Sequence, residues 1–302
     1  MLLPHLEVLD PRFKQLILMN THLDKIWTDG RWLEGPAWFG GARYLIFSDI
    51  PNNRLMRFDD TDGSVSEFRN PSNNANGNTI DRQGRLISCE HLGRRVVRTE
   101  HNGDLTVIAD TYKGKKLNSP NDVVVSRDDA IWFTDPTYGI DLDYEGMRAE
   151  SEVKANNVYR VDPNSGVVEA VVTDFVQPNG LAFSPDETHL YVADTGATHI
   201  EDGPKHIRKF TVEGDRLSGG ESISDCPVGL YDGFRIDDKG HIWTSTGEGV
   251  HCLSSTGQLL GKIKIPEVTA NVCFGGAKRN RLFICATTSL YATYLNVSGA
   301  NS

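Results

Sequence analysis

Six polar residues recur at one phase of the sequence: Glu34, Asn76, Asn121, Asn179, Asp232 and Asn271, at intervals of 42, 45, 58, 53 and 39 residues. Each stands at the head of a short, largely apolar run, as in Asn179-Gly-Leu-Ala-Phe183 and Asp232-Gly-Phe-Arg-Ile236. Two are carboxylates, four are carboxamides, and none is His or Cys. Brought together, such a set offers oxygen ligands alone. Hard cations such as Ca²⁺, Mg²⁺ or Mn²⁺ suit it, whereas zinc favours nitrogen and sulfur. Glu34 and Asp232 would balance the two charges of the ion. A lone Asn-Gly pair does no more than satisfy a turn backbone. Six heads in phase, two of them acidic, point to a polar channel.

The elements that position these residues repeat with them. In the run 177–195 the head Asn179 precedes the strand Leu181–Phe183, a Ser184-Pro-Asp-Glu turn, and a second strand, His189–Ala193, that ends on Asp194-Thr195. Similar pairs follow each of the other heads. A repeat of roughly 40–50 residues holding about four strands is the signature of a β-propeller. The expectation is therefore an all-β, six-bladed propeller forming one domain over residues 1–302. Inner strands of a propeller line its central channel, so the heads should ring one mouth. Asp62-Gly63 and Asn102-Gly103 mark outer hairpins. The sixth repeat runs out of chain after three strands, so Leu23–Thr28 is predicted to complete it beside Ser289–Asn296. Asp10-Pro11 opens a short N-terminal helix, with Asp10 as cap. A polar, acidic insert, Thr137–Asn156, leaves blade three between its second and third strands. It holds Tyr138 and Glu145 and should cover the mouth that carries the heads; Gly196–Lys205, a smaller insert of blade four, lies on the same side.

Composition narrows the class. A net charge of −10 argues against nucleic acid and anionic membrane partners. Five cysteines without a C-x-x-C pair read as reduced thiols of a cytoplasmic protein. No apolar run approaches the ~20 residues of a membrane span. Neither Ser119 nor Ser184 sits in a G-x-S-x-G elbow. His91 reads as a structural turn residue, and Trp132 and Trp243 as core.

The runs Leu33-Glu34-Gly-Pro, Leu117-Asn-Ser-Pro-Asn121-Asp, Trp132-Phe-Thr-Asp-Pro-Thr-Tyr-Gly139, Pro178-Asn179-Gly-Leu-Ala-Phe-Ser-Pro-Asp, Asp232-Gly and Asn271-Val-Cys-Phe-Gly-Gly276 together resemble the gluconolactonase/senescence-marker-protein (regucalcin) family, over about residues 13–297. That resemblance implies a six-bladed propeller that opens sugar lactones such as glucono-1,5-lactone. It also implies one divalent cation, calcium ahead of magnesium, manganese or zinc. Carried onto matching positions, Glu34, Asn179 and Asp232 are metal ligands. Asn121 touches the metal or a molecule bound to it. Asn76, Asn121 and Tyr138 are the expected substrate contacts. Tyr231 departs from the family by standing where a proline usually precedes the acid. The cation would polarise the lactone carbonyl, and the base that activates water is either Asp232 or a hydroxide on the ion. Two rival readings use the same residues: a non-catalytic propeller that binds a cation or a partner, and a phosphotriesterase-like hydrolase.

Overall fold

Short runs of alternating polarity, broken by turn residues, can bury their apolar faces only by pairing and then stacking sheet against sheet. The computed structural model describes residues 3–300; residues 1–2 and 301–302 of the expected unit lie outside the described residues. Six antiparallel sheets of four or five strands follow one another along the chain, with a two-stranded ribbon, Thr111–Tyr112 against Lys115–Lys116, between the second and third. Blade one comprises Leu33–Phe39, Tyr44–Asp49, Arg54–Asp59 and Val65–Arg69, and blade two Ala75–Ile80, Leu86–Glu90, Arg95–Thr99 and Leu105–Ala109. Blade three comprises Val123–Val125, Ile131–Asp135, Asn157–Val161 and Val168–Val172, and blade four Pro178–Phe183, His189–Asp194, His206–Glu213 and Arg216–Asp225. Blade five is built from Phe234–Ile236, Ile242–Thr246, Gly249–Leu253 and Leu259–Lys264, and blade six from Thr269–Gly275, Arg281–Ala286 and Leu290–Tyr294. Each inner strand touches the next around the ring, and the sixth touches the first. The fold is a six-bladed β-propeller.

Closure follows the sequence reading. Asp24–Trp27 pairs antiparallel with Leu290–Tyr294, Asp24 facing Ala292, and supplies the fourth strand of blade six. The chain before it does more than predicted. Leu6–Val8 adds a fifth strand to blade five, Leu6 opposite Ile263. The expected helix is a single 3-10 turn, Pro11–Gln15, with Asp10 Oδ1 accepting from the Arg12 N–H at 2.9 Å. It stops there because the next residues are taken by blade six: Ile17 bridges Leu295, and Leu16 accepts from the Asn296 N–H. Phe13, Leu16 and Ile17 are buried among Trp243, Phe274 and Leu282, so one segment pins blades five and six together.

The core lies between neighbouring blades. Val124, Trp132 and Val158 of blade three pack against Leu181, Leu190 and Phe210 of blade four. Trp132 and Trp243 are core residues whose indole N–H groups donate to Ser126 and Asp237. Near the axis the blades approach so closely that after four of the six heads, Glu34, Asn76, Asn179 and Asp232, the next residue is a glycine with no room for a side chain. The Gly77 N–H donates to the Asn121 carbonyl at 2.7 Å, and a β-carbon on Gly77 would collide with that oxygen. Gly180 meets the Asp232 carbonyl in the same way. The repeated head-Gly pair is thus a packing requirement of the ring neck. Among the described residues no helix is long and apolar enough to cross a membrane.

Candidate functional site

Five of the six heads, Glu34, Asn76, Asn121, Asn179 and Asp232, line one cavity of about 350 Å³. Asn271, the sixth, braces this ring instead of facing the cavity: its Nδ2 donates to Glu34 Oε2 at 2.9 Å. The Gly35 N–H donates to the same oxygen at 2.8 Å, which leaves Glu34 Oε1 without a hydrogen-bond partner among the described residues. Glu34, Asn76, Asn121 and Asn179 are buried, and Asp232 is half-buried with its exposed part on the cavity. Tyr231, at the position of the departure, is buried in the blade-four/blade-five core with its hydroxyl 3.3 Å from Ser224 Oγ. Packing thereby holds the loop that carries Asp232.

Both insert segments reach this mouth, as expected. Tyr138 and Glu145 of the long insert and Thr198 of the shorter one line the cavity. The Tyr138 hydroxyl is already engaged, 2.7 Å from Thr195 Oγ1 and 2.8 Å from Thr198 Oγ1, so it ties the two inserts together. Trp32, Leu230 and Val268 form an apolar wall on the blade-five, -six and -one side. Below the heads, Arg235 Nη1 lies 3.4 Å from Asp122 Oδ2 and also lines a separate cavity at the far end of the inner strands.

The electrostatics single out the two acids. Burial pushes the Asp232 carboxyl well above the usual range, and the Glu34 carboxylate raises it further. Burial likewise raises Glu34, against the lowering effect of the Asn271 and Gly35 hydrogen bonds. Glu145, on the insert expected to cover this mouth, is raised to about 7 by burial. Two carboxylates that destabilise one another on one cavity fit a divalent cation, since an opposite charge offsets the cost of burying them. Asn76 Oδ1, a buried acceptor without a partner, adds to that unsatisfied negative character. Among the described residues no three His, Cys, Asp or Glu side chains cluster as a metal site. A cation here would need amide oxygens as well as the two acids.

Sequence reasoning missed one neighbour of the site. His91, read as a structural turn residue, lies in a turn but is fully buried against the site; its Nε2 lies 3.2 Å from Asn76 Nδ2 and its Nδ1 3.1 Å from the Glu145 carbonyl. The only signal was its position just after the second strand of blade two, beside the head strand.

Known proteins share both sequence and shape with this one. A gluconolactonase from Zymomonas mobilis is 31% identical over 303 aligned residues, covering 92% of this chain and 82% of that protein. A pentonolactonase from Haloferax volcanii is 28% identical, over 83% of this chain and 80% of that one. The solved structure of a gluconolactonase from Xanthomonas campestris superposes with a TM-score of 0.90 at 35% identity, covering 96% of this chain and 94% of the other. Residues 32–288 match the SMP-30/gluconolactonase/LRE-like region, and the chain belongs to that family.

Proposed function

We propose that the protein hydrolyses a sugar lactone to its aldonic acid in the cavity of the five heads. The observation that carries this reading is the pair of mutually destabilising carboxylates, Glu34 and Asp232, with amide side chains around them on one cleft. Relatives that cover nearly the whole chain and are named gluconolactonase support the substrate class. Glu34, Asn179 and Asp232 would hold one divalent cation, calcium first, with Asn121 beside it. Bound there, such a cation would supply Lewis-acid polarisation of the lactone carbonyl and a positive charge for the oxygen that turns negative as water adds.

The chain's own groups carry the proton. An Asp232 carboxylate oxygen takes a proton from the attacking water. The Glu145 carboxyl, poised near neutrality, gives one to the ring oxygen as the acyl C–O bond breaks. The hydroxyl thus joins the carbonyl carbon and the proton joins the leaving oxygen. Asn76, Asn121 and Tyr138 position the substrate, and the apolar wall of Trp32, Leu230 and Val268 receives its C–H face. The five cysteines are unpaired and buried, which fits a reducing cytoplasm. The test is a pH-indicator assay over a lactone panel, with and without chelator. Activity on aldono-lactones that chelator abolishes and Ca²⁺ or Mn²⁺ restores is the expected result; a protein inactive on every lactone with added metal would refute the reading.

A further inference from the structure

His91 occupies a place between the long insert and the ring of heads. On one side, Gly139 of the insert packs against the His91 ring, and a β-carbon there would strike it. From the same insert the Glu145 backbone carbonyl lies 3.1 Å from His91 Nδ1. On the other side, Asn76 Nδ2 lies 3.2 Å from His91 Nε2. These contacts fix the donors and acceptors in a chain. A carbonyl oxygen only accepts, so His91 Nδ1 must carry the proton. Burial lowers the imidazole to about 4, so it is neutral near pH 7 and Nε2 is an acceptor. Nε2 then requires the N–H end of the Asn76 amide. That leaves Asn76 Oδ1, buried and without a partner, as the end of the amide that His91 does not take, on a residue that lines the cavity.

We propose that His91 is a positioning residue that makes Asn76 an acceptor-only group, and that Asn76 Oδ1 receives a hydroxyl hydrogen of the bound lactone, directly or through one water. This rests on the proposed lactonase reading and deepens it. A free asparagine amide can rotate to offer either end, so it reads a hydroxyl and a carbonyl alike. An asparagine locked by His91 prefers a donor. The site thereby favours lactones hydroxylated where they meet blade two, since an unpaired buried acceptor is costly when no donor reaches it. Because the lock is the backbone of the long insert, seating the insert and setting the polarity of Asn76 are one event.

The test compares glucono-1,5-lactone, hydroxylated around its ring, with δ-valerolactone, which has no hydroxyl, in wild type, Asn76→Ala, His91→Leu and His91→Gln. Asn76→Ala and His91→Leu are expected to lower kcat/KM on the hydroxylated lactone by about threefold to tenfold, mostly through KM, with a smaller loss on δ-valerolactone. His91→Gln keeps an acceptor and a donor and should recover part of the loss. Equal losses on both lactones, or none, would overturn the proposal. So would a Ca²⁺ affinity weakened by Asn76→Ala, since Asn76 would then serve the cation. The tautomer is read without substrate by ¹⁵N NMR of the imidazole: an Nδ1-protonated ring supports the positioning and an Nε2-protonated ring overturns it. If wild type opens neither lactone, the lactonase reading fails and the tautomer alone decides the role of His91.

Discussion

Asp49, Glu90, Asp135 and Asp194 end the second strands of blades one to four, while Glu34 and Asp232 stand at the heads of blades one and five. Because first and second strands run antiparallel, all six carboxylates lie at the same end of the ring. Their surroundings differ in one respect. Asp49 accepts from the Arg31 N–H, Asn52 Nδ2 and Arg54 Nε at 2.8–3.0 Å. Asp194 accepts from the backbone N–H groups of Val176, Gln177 and Gly196. Asp135 does the same for Asn118 and Ser119, and Glu90 pairs with Arg69 and Arg95. These four staple the loop that leads into, or the turn that leaves, each blade. Glu34 has both its hydrogen bonds on one oxygen, and Asp232, which has a side-chain hydrogen bond from Asn179, faces Glu34's like charge across the cavity. A buried acid whose oxygens are all answered belongs to the fold; one only partly answered beside another belongs to a site.

Substitutions should separate the two sets. Glu34→Gln and Asp232→Asn are expected to lower lactonase activity by about 10²–10³-fold, comparable to removing a transition-state donor, while the metal-free protein stays folded. Excess Ca²⁺ or Mn²⁺ should restore part of the activity of Glu34→Gln and none of Asp232→Asn if Asp232 is, as proposed, also the base that takes the proton. A steady-state assay over metal concentration checks both. In the other set, Asp49→Ala leaves the half-buried Arg54 guanidinium and a backbone N–H without their partner. A loss of about 2–4 kcal/mol in urea unfolding is expected, with activity per folded molecule close to wild type. An Asp49 variant that is stable but inactive would collapse the distinction.

A pH experiment sharpens it. A carboxyl held above its usual 4.5, as Glu34 is, favours the fold in its protonated form. That contribution is full below pH 4.5 and is lost as pH climbs through the raised value of the folded state. The metal-free protein should therefore lose thermal stability between pH 5 and 8, and Glu34→Gln should lose less. Asp135 and Glu145, also raised by burial, contribute with the same sign in both proteins and cancel from the difference. Equal slopes by calorimetric melting would place the strain elsewhere. The smallest effect is expected for Tyr138→Phe, which removes the hydroxyl bridging Thr195 and Thr198. A twofold to fivefold rise in KM with little change in kcat would fit a substituent that orders the two inserts.

The ring was legible in the sequence because one polar head per repeat, followed by a fixed apolar run, survives differences in loop length. Strand Asp24–Trp27 was legible because a blade short of a strand demands one. Leu6–Val8 was not: three residues carry no periodicity, and their pairing with Leu259–Lys264 is set by contacts some 250 positions away. The staples were equally hidden. Asp49 and Asp232 are the same residue type at the same mouth, and only their partners tell them apart. His91 was taken for a turn residue because a turn is where it lies; that its ring enters the space between insert and head is a fact of packing. Asn271 kept the phase of the heads but braces Glu34, a role that only the geometry reveals.

The central claim is that Glu34 and Asp232, only partly answered by their hydrogen bonds and set against each other's charge, are completed by a cation. Titration calorimetry of Ca²⁺ into the metal-free protein tests it most directly, with Glu34→Gln, Asp232→Asn and Asp49→Ala alongside. One site per chain is predicted in wild type and in Asp49→Ala, with affinity at least about tenfold weaker in both head variants. Unchanged Ca²⁺ affinity in Glu34→Gln and Asp232→Asn would contradict the account.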